Sequence, residues 1–219
     1  MGIVIAVDGV AASGKGTLSR ALAAEFGYAV LDTGKLYRAV AAKALEAGVA
    51  ADDEVRCGAL ARALTPAYAA RPGLGGEAMG SAASRVSGLP QVRAALLGFQ
   101  RSFAGSPPGG AAGAVLDGRD IGTVVCPGAD AKFFLTADPA VRAARRAGDD
   151  PGTPVAAIEA SIRERDAREA ARAASPLVPA EDAVILDTSR MTPGEVLRTA
   201  METLAGMGVR PGGGRGPGR

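Results

Sequence analysis

A glycine-rich stretch between an apolar run and a helical pattern constrains this chain more than any other feature. Residues 3–7 read Ile-Val-Ile-Ala-Val, which is typical of a strand buried on both faces of a parallel sheet. Residues 9–17 then read Gly-Val-Ala-Ala-Ser-Gly-Lys-Gly-Thr, and Leu18, Leu22 and Phe26 follow at a spacing of four residues. This order predicts a buried strand, a tight loop and an amphipathic helix over residues 15–26.

The loop has the spacing of a phosphate-binding loop. Its two outer glycines let the backbone curl, so that its N–H groups and the helix N-terminus surround a polyphosphate. Lys15 adds a positive charge at the β and γ phosphates, and Thr17 is the candidate ligand for Mg²⁺, directly or through water. Gly16 separates Lys15 from Thr17, a form that resembles nucleoside monophosphate kinases more than GTPases. The candidate ATP-binding residues are Gly9, Val10, Ala11, Ala12, Ser13, Gly14, Lys15, Gly16 and Thr17.

Strand and helix patterns alternate along the rest of the chain. Further short apolar runs occupy residues 28–31, 114–116, 131–135 and 183–186. Helical patterns occupy residues 34–46, 53–64, 77–86, 90–103, 139–146, 155–173 and 193–204, and residues 65–80 are loop-like. This alternation predicts an α/β fold with a five-stranded parallel sheet flanked by helices. Aspartates 8, 32, 117 and 187 follow four of the strands directly, at the edge where such sheets bind ligands.

Composition excludes several classes of site. The chain has no histidine, which removes an imidazole base, a Ser-His-Asp triad and histidine metal sites. It has no asparagine either, so the usual guanine-reading motif of GTPases is missing. Segment 207–219 carries three arginines and no acid, and without it the 25 basic side chains fall to 22 against 23 acidic ones. The nearly neutral body does not indicate nucleic-acid binding, and we expect the tail to be disordered.

The remaining signals concern location. The two cysteines, Cys57 and Cys126, lie far apart in sequence and predict reduced thiols. We see no secretory leader at the N-terminus and no apolar run of the length that spans a membrane. We therefore expect a cytoplasmic monomer without membrane or nucleic-acid partners.

Two segments after strands carry candidate acceptor-binding residues. In the first, Thr33 is expected to cap the following helix, and Tyr37 and Arg38 lie in its first turns, where they could hold a nucleotide. In the second, Arg119 offers a planar guanidinium for a phosphate. Its neighbours Asp117 and Asp120 could organise arginines or hydrated Mg²⁺.

The long helix predicted over residues 155–173 changes character along one face. An apolar stripe that includes Ile158 and Ile162 continues into charged residues on the same face. These charged residues are Arg165, Arg168, Glu169 and Arg172. A stripe of this kind indicates a helix that leaves the core and enters a polar cleft. Converging arginines, Lys15 and Mg²⁺ would together suit phosphoryl transfer, which needs positioning and charge neutralisation more than covalent chemistry.

With these motifs together, the chain resembles the bacterial cytidylate kinases. The matching segments span nearly the whole chain in order: the phosphate loop, residues 31–38, 82–86 with Pro90 and Arg93, 116–125, 163–168 and 175–178. The resemblance implies a P-loop kinase that transfers the γ-phosphoryl group of ATP to CMP or dCMP with Mg²⁺ as cofactor. It also implies an acceptor-binding insertion and a lid. We expect one kinase domain over residues 1–206, with the insertion at about 38–103, the lid at about 147–173 and the core in 1–37, 104–146 and 174–206.

The resemblance also implies roles for individual residues. Ser84, Arg93 and Asp120 would read the cytosine edge, and Arg38, Arg119 and Arg165 would hold the acceptor phosphate. Tyr37, Glu169 and Arg172 would lie by the ribose, with Thr33 and Asp117 in the same site. The catalytic candidates are Lys15, Arg119, Arg165 and Arg168.

The chain departs from the family pattern in three places. Val10 stands where proline is frequent, Glu169 where aspartate is usual near the sugar, and Gly75 where arginine is common in a compact insertion. Two other functions stay open at this point. One is a kinase for a different small acceptor, such as UMP, AMP or shikimate, and the other is a nucleotide-binding switch with slow turnover.

Overall fold

The computed structural model describes residues 2–148, 152–172 and 175–211. The five strands are β1 (Ile3–Gly9), β2 (Ala29–Asp32), β3 (Gly113–Asp117), β4 (Ala131–Thr136) and β5 (Val184–Asp187). They form one parallel sheet in the order β2-β3-β1-β4-β5. The predicted α/β fold and five-stranded parallel sheet are therefore confirmed.

The α-helices surround this sheet and form two additions to it. They are α1 (Lys15–Phe26), α2 (Thr33–Glu46), α3 (Glu54–Arg62), α4 (Pro66–Ala69), α5 (Glu77–Val86), α6 (Pro90–Gly105), α7 (Pro139–Ala147), α8 (Val155–Ala170) and α9 (Pro193–Gly206). A short 3₁₀ turn covers Pro108–Gly110, and a π-helical turn covers Ile121–Val125. The chain thus follows the strand–helix order read from the sequence.

Three details differ from the sequence-based expectations. The segment expected to be a loop contains α4, because Thr65 accepts a hydrogen bond from the Tyr68 N–H and Pro66 occupies the first turn. The long helix ends at Ala170 rather than residue 173. The π-helical turn was not expected at all, since no local pattern distinguishes one extra residue per turn.

The core is divided among the parts of the fold. The main cluster packs β1, β4, α1 and α9 around residues such as Ile5, Leu22 and Phe133. The insertion formed by α2–α6 has its own apolar cluster, which includes Val40 and Leu96. A smaller cluster joins α7 and α8 through Ala143, Ile158 and Ile162. Few buried apolar residues therefore hold α8, and it makes additional polar contacts with the rest of the fold.

The C-terminal boundary also differs from the expectation. We expected the packed body to end at residue 206, yet Val209 is buried against the main cluster. The rest of the expected disordered tail, residues 212–219, lies outside the described residues, as do residues 149–151 of the expected lid. Within the described ranges, no helix has both the length and the apolar character needed to cross a membrane.

Strand order brings the loop after β1 to the centre of the carboxyl edge of the sheet. β1 pairs with β3 on one side and β4 on the other, so chain connections diverge there. The register sets Asp117 of β3 beside Asp32 of β2. The candidate site is therefore built where the ends of β1, β2 and β3 meet.

Candidate active site

The loop after β1 has a backbone that requires glycine at its start. Gly9 has φ of +139°, and a Cβ there would lie 2.0 Å from the Leu135 carbonyl oxygen of β4. Gly14, also at positive φ, leads into α1. Ala12 adopts a left-handed φ of 56°, which is uncommon for a residue with a side chain and must be held by its surroundings. This curled backbone is the geometry predicted for a phosphate-binding loop.

Lys15 lies at the base of the loop and is buried. Its Nζ donates to the Val10 carbonyl oxygen over 2.6 Å. Burial and the nearby Arg119 guanidinium lower the pKa of the Lys15 ammonium to about 7. A buried ammonium close to other cations is destabilised, so the binding of an anion beside it would be favourable.

A cavity of about 230 Å³ opens between the loop, the insertion and the lid helix α8. Its polar lining contains one lysine and six guanidinium groups. The candidate residues that line it are Ala11, Ala12, Lys15, Gly16, Thr33, Tyr37, Arg38, Arg93, Asp117, Arg119, Asp120, Arg165, Glu169 and Arg172. Arg146 also contributes to the lining and was not among the candidates. Such a concentration of cations suits a ligand with several negative charges.

Glu169 is the centre of the arginine cluster. Its carboxylate is only 1% exposed and accepts from Arg119 Nε at 2.7 Å and from Arg165 Nε at 2.8 Å. The hydroxyl of Ser84 donates to the same carboxylate over 3.0 Å. Burial opposes ionisation of Glu169, but Arg119 and Arg165 outweigh it and hold the pKa of this carboxyl well below its ordinary value. Glu169 is therefore an anion that fixes two cavity arginines.

Arg172, at the end of the same helix, faces the insertion. Its Nη2 donates to the Ser84 carbonyl oxygen at 2.7 Å and to the Ser87 hydroxyl at 2.9 Å. Ser84 itself is buried and does not line the cavity. In this structure Ser84 binds Glu169 and Arg172 rather than facing the cavity.

Arg93 and Asp120 form an ion pair at one end of the cavity. Arg93 Nη2 pairs with Asp120 Oδ2, and Arg93 Nη1 donates to the Ser87 carbonyl oxygen over 3.0 Å. The Arg93 guanidinium also lies over the Tyr37 ring, 5.9 Å from its centroid. Both charged groups are largely buried, so they form a fixed pattern of donors and acceptors beside an aromatic ring.

Arg38 occupies another wall of the cavity. Its guanidinium donates to the carbonyl oxygens of Leu74 at 3.0 Å and Gly76 at 3.4 Å. A Cβ on Gly80 would lie 3.3 Å from Arg38 Nη2 and 3.2 Å from Arg165 Nη1. The absence of a side chain at Gly80 therefore lets two guanidinium groups from different elements approach one another.

The N-terminus of α2 differs from the expectation. Asp32, not Thr33, caps this helix by accepting from the Lys35 N–H at 3.3 Å. Thr33 is buried, and its hydroxyl donates to the Asp117 carbonyl oxygen over 2.8 Å. Thr33 thus ties α2 to the end of β3 and holds the acceptor side of the cavity together.

Oxygen donors suited to Mg²⁺ lie on the floor of the cavity. Among the described residues none donates a hydrogen bond to the Asp117 carboxylate, and Asp32 stands beside it. Burial raises the pKa of Asp117 to about 6, so a cation would favour its ionised form. In the part of the chain that the structure describes, no cluster of three or more His, Cys, Asp or Glu could hold a metal alone. The donor set fits a hydrated Mg²⁺ held chiefly by substrate phosphates.

A second cavity, of about 650 Å³, lies on the other side of the phosphate loop. It is lined by Ala12, Ser13, Gly14, Thr17, Leu18, Ala21, Arg145, Arg146, Thr188, Met191, Pro193, Gly194, Val196 and Leu197. Thr17 therefore lines this second cavity and not the first. Arg145 donates to the Thr188 carbonyl oxygen at 2.6 Å, and the Thr188 hydroxyl donates to the Ser13 carbonyl oxygen at 3.0 Å. The sequence analysis did not predict these contacts, because Thr188 and Ser13 are 175 residues apart and no local pattern connects them.

Arg168 is a further candidate that does not line the first cavity. It pairs with Glu164 over 3.0 Å, four residues earlier on the same helix. Its Nε is buried without a hydrogen-bond partner among the described residues. The rotation of α8 aims Arg165 and Glu169 into the cavity and leaves Arg168 beside its rim.

Asp8 is buried near the carboxyl end of β1. The sequence analysis placed it at the end of this strand but assigned it no role. Its two carboxylate oxygens accept from the Ile121 N–H at 2.8 Å and the Gly122 N–H at 2.7 Å. It therefore holds the first residues of the π-helical turn, directly after Arg119 and Asp120. Burial outweighs the hydrogen bonds and raises the pKa of Asp8 to about 6.

Glu77 joins the insertion to the lid side of the cavity. Its carboxylate accepts from the Ser161 hydroxyl of α8 at 2.9 Å and from Arg146 Nε of α7 at 3.3 Å. Helix α5 is therefore in direct polar contact with both α7 and α8.

Comparison with known proteins gives a consistent result. The family model described as cytidylate kinase matches residues 5–205. A curated cytidylate kinase of Rhodospirillum rubrum is 52% identical over 207 residues, which cover 93% of this chain and 97% of the relative. One of Rhodopseudomonas palustris is 52% identical over 205 residues, covering 91% of this chain and 94% of the relative.

Solved structures with low sequence identity share the fold. An unliganded sugar kinase of Janibacter sp. HTCC2649 aligns with a TM-score of 0.50 at 16% identity, covering 94% of this chain and 95% of the other. An uncharacterized protein of Eubacterium ventriosum aligns with a TM-score of 0.56 at 12% identity, covering 94% and 99%. At these identities the likeness concerns architecture alone.

Proposed function

This chain belongs to the cytidylate kinase family, and we propose that it transfers the γ-phosphoryl group of ATP to CMP or dCMP, giving ADP and CDP or dCDP, in the cavity described above. The observation that carries the proposal is one cavity lined both by the phosphate-loop Lys15 and by the guanidinium groups of Arg38, Arg119 and Arg165. Phosphoryl transfer requires that donor and acceptor phosphates meet there in line and that their charge is neutralised.

The donor side is assigned to the phosphate loop. The loop N–H groups and Lys15 would surround the β and γ phosphates of ATP, and the adjoining cavity past Thr17 would take the rest of the nucleotide. Lys15 is buried next to Arg119, so its ammonium is preorganised for an anion and has little water to give up. This arrangement supports a role for Lys15 in neutralising charge as the phosphoryl group moves.

The acceptor side is assigned to the arginine cluster. Arg38, Arg119 and Arg165 approach from three different elements and would hold the phosphate of CMP. Arg93 and Asp120 offer donors and an acceptor next to the Tyr37 ring, which suits the edge and face of a cytosine. Glu169 would keep Arg119 and Arg165 oriented, and with Arg172 it lies on the side proposed for the ribose.

The carboxylate oxygens at the floor of the cavity are suitable ligands for Mg²⁺. Asp117 would hold it through bound water together with the substrate phosphates, and Thr17 would contribute only if the loop hydroxyl turns toward the phosphates. When bound, Mg²⁺ neutralises charge on the β and γ phosphates. The protein residues bind, orient and exclude water around it.

Partners beyond the two nucleotides are not required by this mechanism. The expected monomeric state is part of the same proposal. The expected cytoplasmic location and the absence of nucleic-acid partners remain parts of the same proposal. Light scattering at assay concentration measures the oligomeric state directly.

An acceptor panel tests the proposed function. ADP formation from ATP and Mg²⁺ would be followed with CMP, dCMP, UMP, AMP and GMP at equal concentrations. We expect high kcat/KM with CMP and dCMP, a lower value with UMP, and very low values with AMP and GMP. A preference for AMP would overturn the cytidylate assignment, and slow turnover without dependence on any acceptor would indicate a nucleotide-binding switch instead.

A further inference from the structure

Arg142 on α7 is a buried arginine outside the proposed substrate contacts. Its side chain is 3% exposed. Its Nε donates to the Ala137 carbonyl oxygen at 2.8 Å, which anchors the guanidinium at the start of its own helix. The remaining two nitrogens reach two different parts of the molecule. The planar fork of arginine is suited to holding several acceptors at fixed angles.

The first of these contacts is with the phosphate loop. Arg142 Nη1 donates to the Ala11 carbonyl oxygen over 3.3 Å. In a planar trans peptide the Ala12 N–H points opposite to the Ala11 carbonyl. Fixing that carbonyl therefore directs the Ala12 N–H to the other side of the peptide. Ala12 has the left-handed φ of 56°, a conformation that persists only where neighbouring contacts hold it.

The second contact is with the lid helix. Arg142 Nη2 and Asp166 Oδ2 of α8 lie 2.6 Å apart. Asp166 directly follows Arg165, which lines the acceptor cavity and binds Glu169. Few buried apolar residues pack α8 against α7, so this ion pair is one of the polar contacts that hold α8, together with Ser161–Glu77 and Arg119–Glu169. A change in the rotation of α8 would move Arg165 at the cavity.

We propose that Arg142 is a positioning residue that links the donor-phosphate loop to the lid helix through Asp166. Binding of the donor phosphates to the loop steadies the Ala11–Ala12 peptide, and Arg142 transmits that order to α8 and so to Arg165. Arg142 itself touches no substrate. The proposal rests on the proposed kinase function, since it assigns Arg165 to the reacting phosphates.

The side chain of Asp166 has a feature that fits this linkage. Its Oδ1 is buried and accepts no hydrogen bond from a described residue, so the pair uses only one carboxylate oxygen. Replacing the carboxylate with an amide keeps the shape and removes the charge that holds Arg142. Asp166→Asn is therefore the least disruptive variant, and Arg142→Lys keeps the charge while removing the fork.

The kinetic test is a double-mutant cycle. Asp166→Asn, Arg142→Lys and the double variant would be compared with wild type for kcat with saturating ATP and CMP. We expect each single variant to lose about tenfold or more in kcat, and the double variant to lose no more than the worse single variant. Glu159→Gln and Arg163→Lys form the matched control, because this α8 pair is 2.7 Å apart, close to the 2.6 Å of Arg142 and Asp166, but its arginine is 62% exposed instead of 3%. We expect wild-type kcat in the control.

The second readout is hydrogen exchange with a non-hydrolysable ATP analogue and no acceptor. In wild type we expect the analogue to slow exchange in residues 155–170, and in Asp166→Asn and Arg142→Lys we expect that protection to be lost. Thermal unfolding confirms that each variant is folded at the assay temperature. If Arg142→Lys does not fold, Asp166→Asn decides the question, since its side chain is partly exposed.

The outcomes separate this inference from the proposed function. Wild-type kcat and wild-type protection in Asp166→Asn would overturn the linkage, as would purely additive effects in the double variant. If no acceptor supports turnover in wild type, the proposed function fails. The exchange experiment needs no acceptor and still tests whether Arg142 connects the loop to the lid.

Discussion

The Arg119 guanidinium donates to the Glu169 carboxylate over 2.7 Å, and this contact joins the end of β3 to the lid helix α8. The other oxygen of Glu169 accepts from Arg165 at 2.8 Å. Glu169 thus offsets the repulsion between two guanidinium groups that we assign to the acceptor phosphate. A carboxylate of the protein therefore connects α8 to the arginines that we assign to the acceptor phosphate.

Replacing Glu169 with glutamine should destabilise the protein and make it more responsive to anions. Removing one partner of a buried ion pair leaves uncompensated charge and typically costs about 3–5 kcal/mol. We expect the Tm of Glu169→Gln to fall, and CMP to raise the Tm of the variant more than that of wild type. Glu164→Gln is the matched control, since Glu164 is 75% exposed in its pair with Arg168 on the same helix. An equal Tm loss in both variants would contradict the central role of Glu169.

Replacing Lys15 with methionine should separate activity from stability. The loss of its positive charge at the donor phosphates should lower kcat by about 10²–10³-fold or more. Because burial and Arg119 lower the pKa of Lys15, its charge costs folding energy, and the variant should unfold at the same or a higher temperature. Initial rates and thermal unfolding measure the two effects. Near-normal turnover in the variant would refute the assignment of the phosphate loop.

Replacing Asp120 with asparagine should reduce the preference for CMP over UMP. A carboxylate accepts from the cytosine amino group and disfavours the uracil carbonyl, whereas an amide can serve both. No described residue donates to Asp120 Oδ1, which leaves that oxygen for the base. We expect the ratio of kcat/KM for CMP and UMP to fall about tenfold or more. An equal loss for both acceptors would mean that Asp120 only positions Arg93.

The stability of the protein should depend on Asp8 in a defined pH window. Its pKa is raised to about 6 in the folded state from an ordinary value of 3.8. Between about pH 4 and 6 the folded state therefore retains a proton that the unfolded state has lost, and the Asp8 contribution to stability falls as pH rises. The full effect is at most about 3 kcal/mol.

The measurement is urea unfolding of wild type and Asp8→Asn from pH 4.5 to 7.5. The variant loses one of the two backbone hydrogen bonds of Asp8, so its free energy of unfolding should be lower than that of wild type at pH 4.5. This difference between wild type and variant should decrease toward pH 7, because wild type loses the stability that the Asp8 proton provides. Asp182→Asn is the control, because Lys132 lowers the pKa of this exposed carboxyl. The difference in the free energy of unfolding between wild type and Asp182→Asn should therefore stay constant from pH 4.5 to 7.5. A difference in unfolding free energy between wild type and Asp8→Asn that does not change with pH would show that Asp8 ionises normally.

Local sequence determined the elements of this fold and the donor loop. Hydrophobic periodicity depends on neighbours along the chain, so the five strands and most helices could be predicted from it. The Gly9 and Gly14 spacing fixes the loop because glycine alone adopts such backbone angles without strain. Position at strand ends placed Asp8, Asp32, Asp117 and Asp187 at the ligand-binding edge of the sheet. Asp32 and Asp117 do line the cavity, whereas Asp187 is exposed and lines neither cavity. The sequence analysis overlooked α4 although Thr65 and Pro66 are local signals for a helix start. The π-helical turn could not be predicted locally, because Asp8 of β1 holds its first residues from a distant part of the chain.

Only the tertiary structure decided how the charged residues are paired. Arg165 and Arg168 lie on one face of α8 in the sequence, yet the rotation of the helix brings Arg165 to Glu169 and leaves Arg168 with Glu164. The hydroxyl of Ser84 reaches Glu169 across 85 residues, and Asp8 reaches the π-helical turn across 113. A periodic pattern gives the direction of a side chain relative to its own helix or strand. The partner of that side chain depends on how separate elements pack, and this is determined by the whole folded chain.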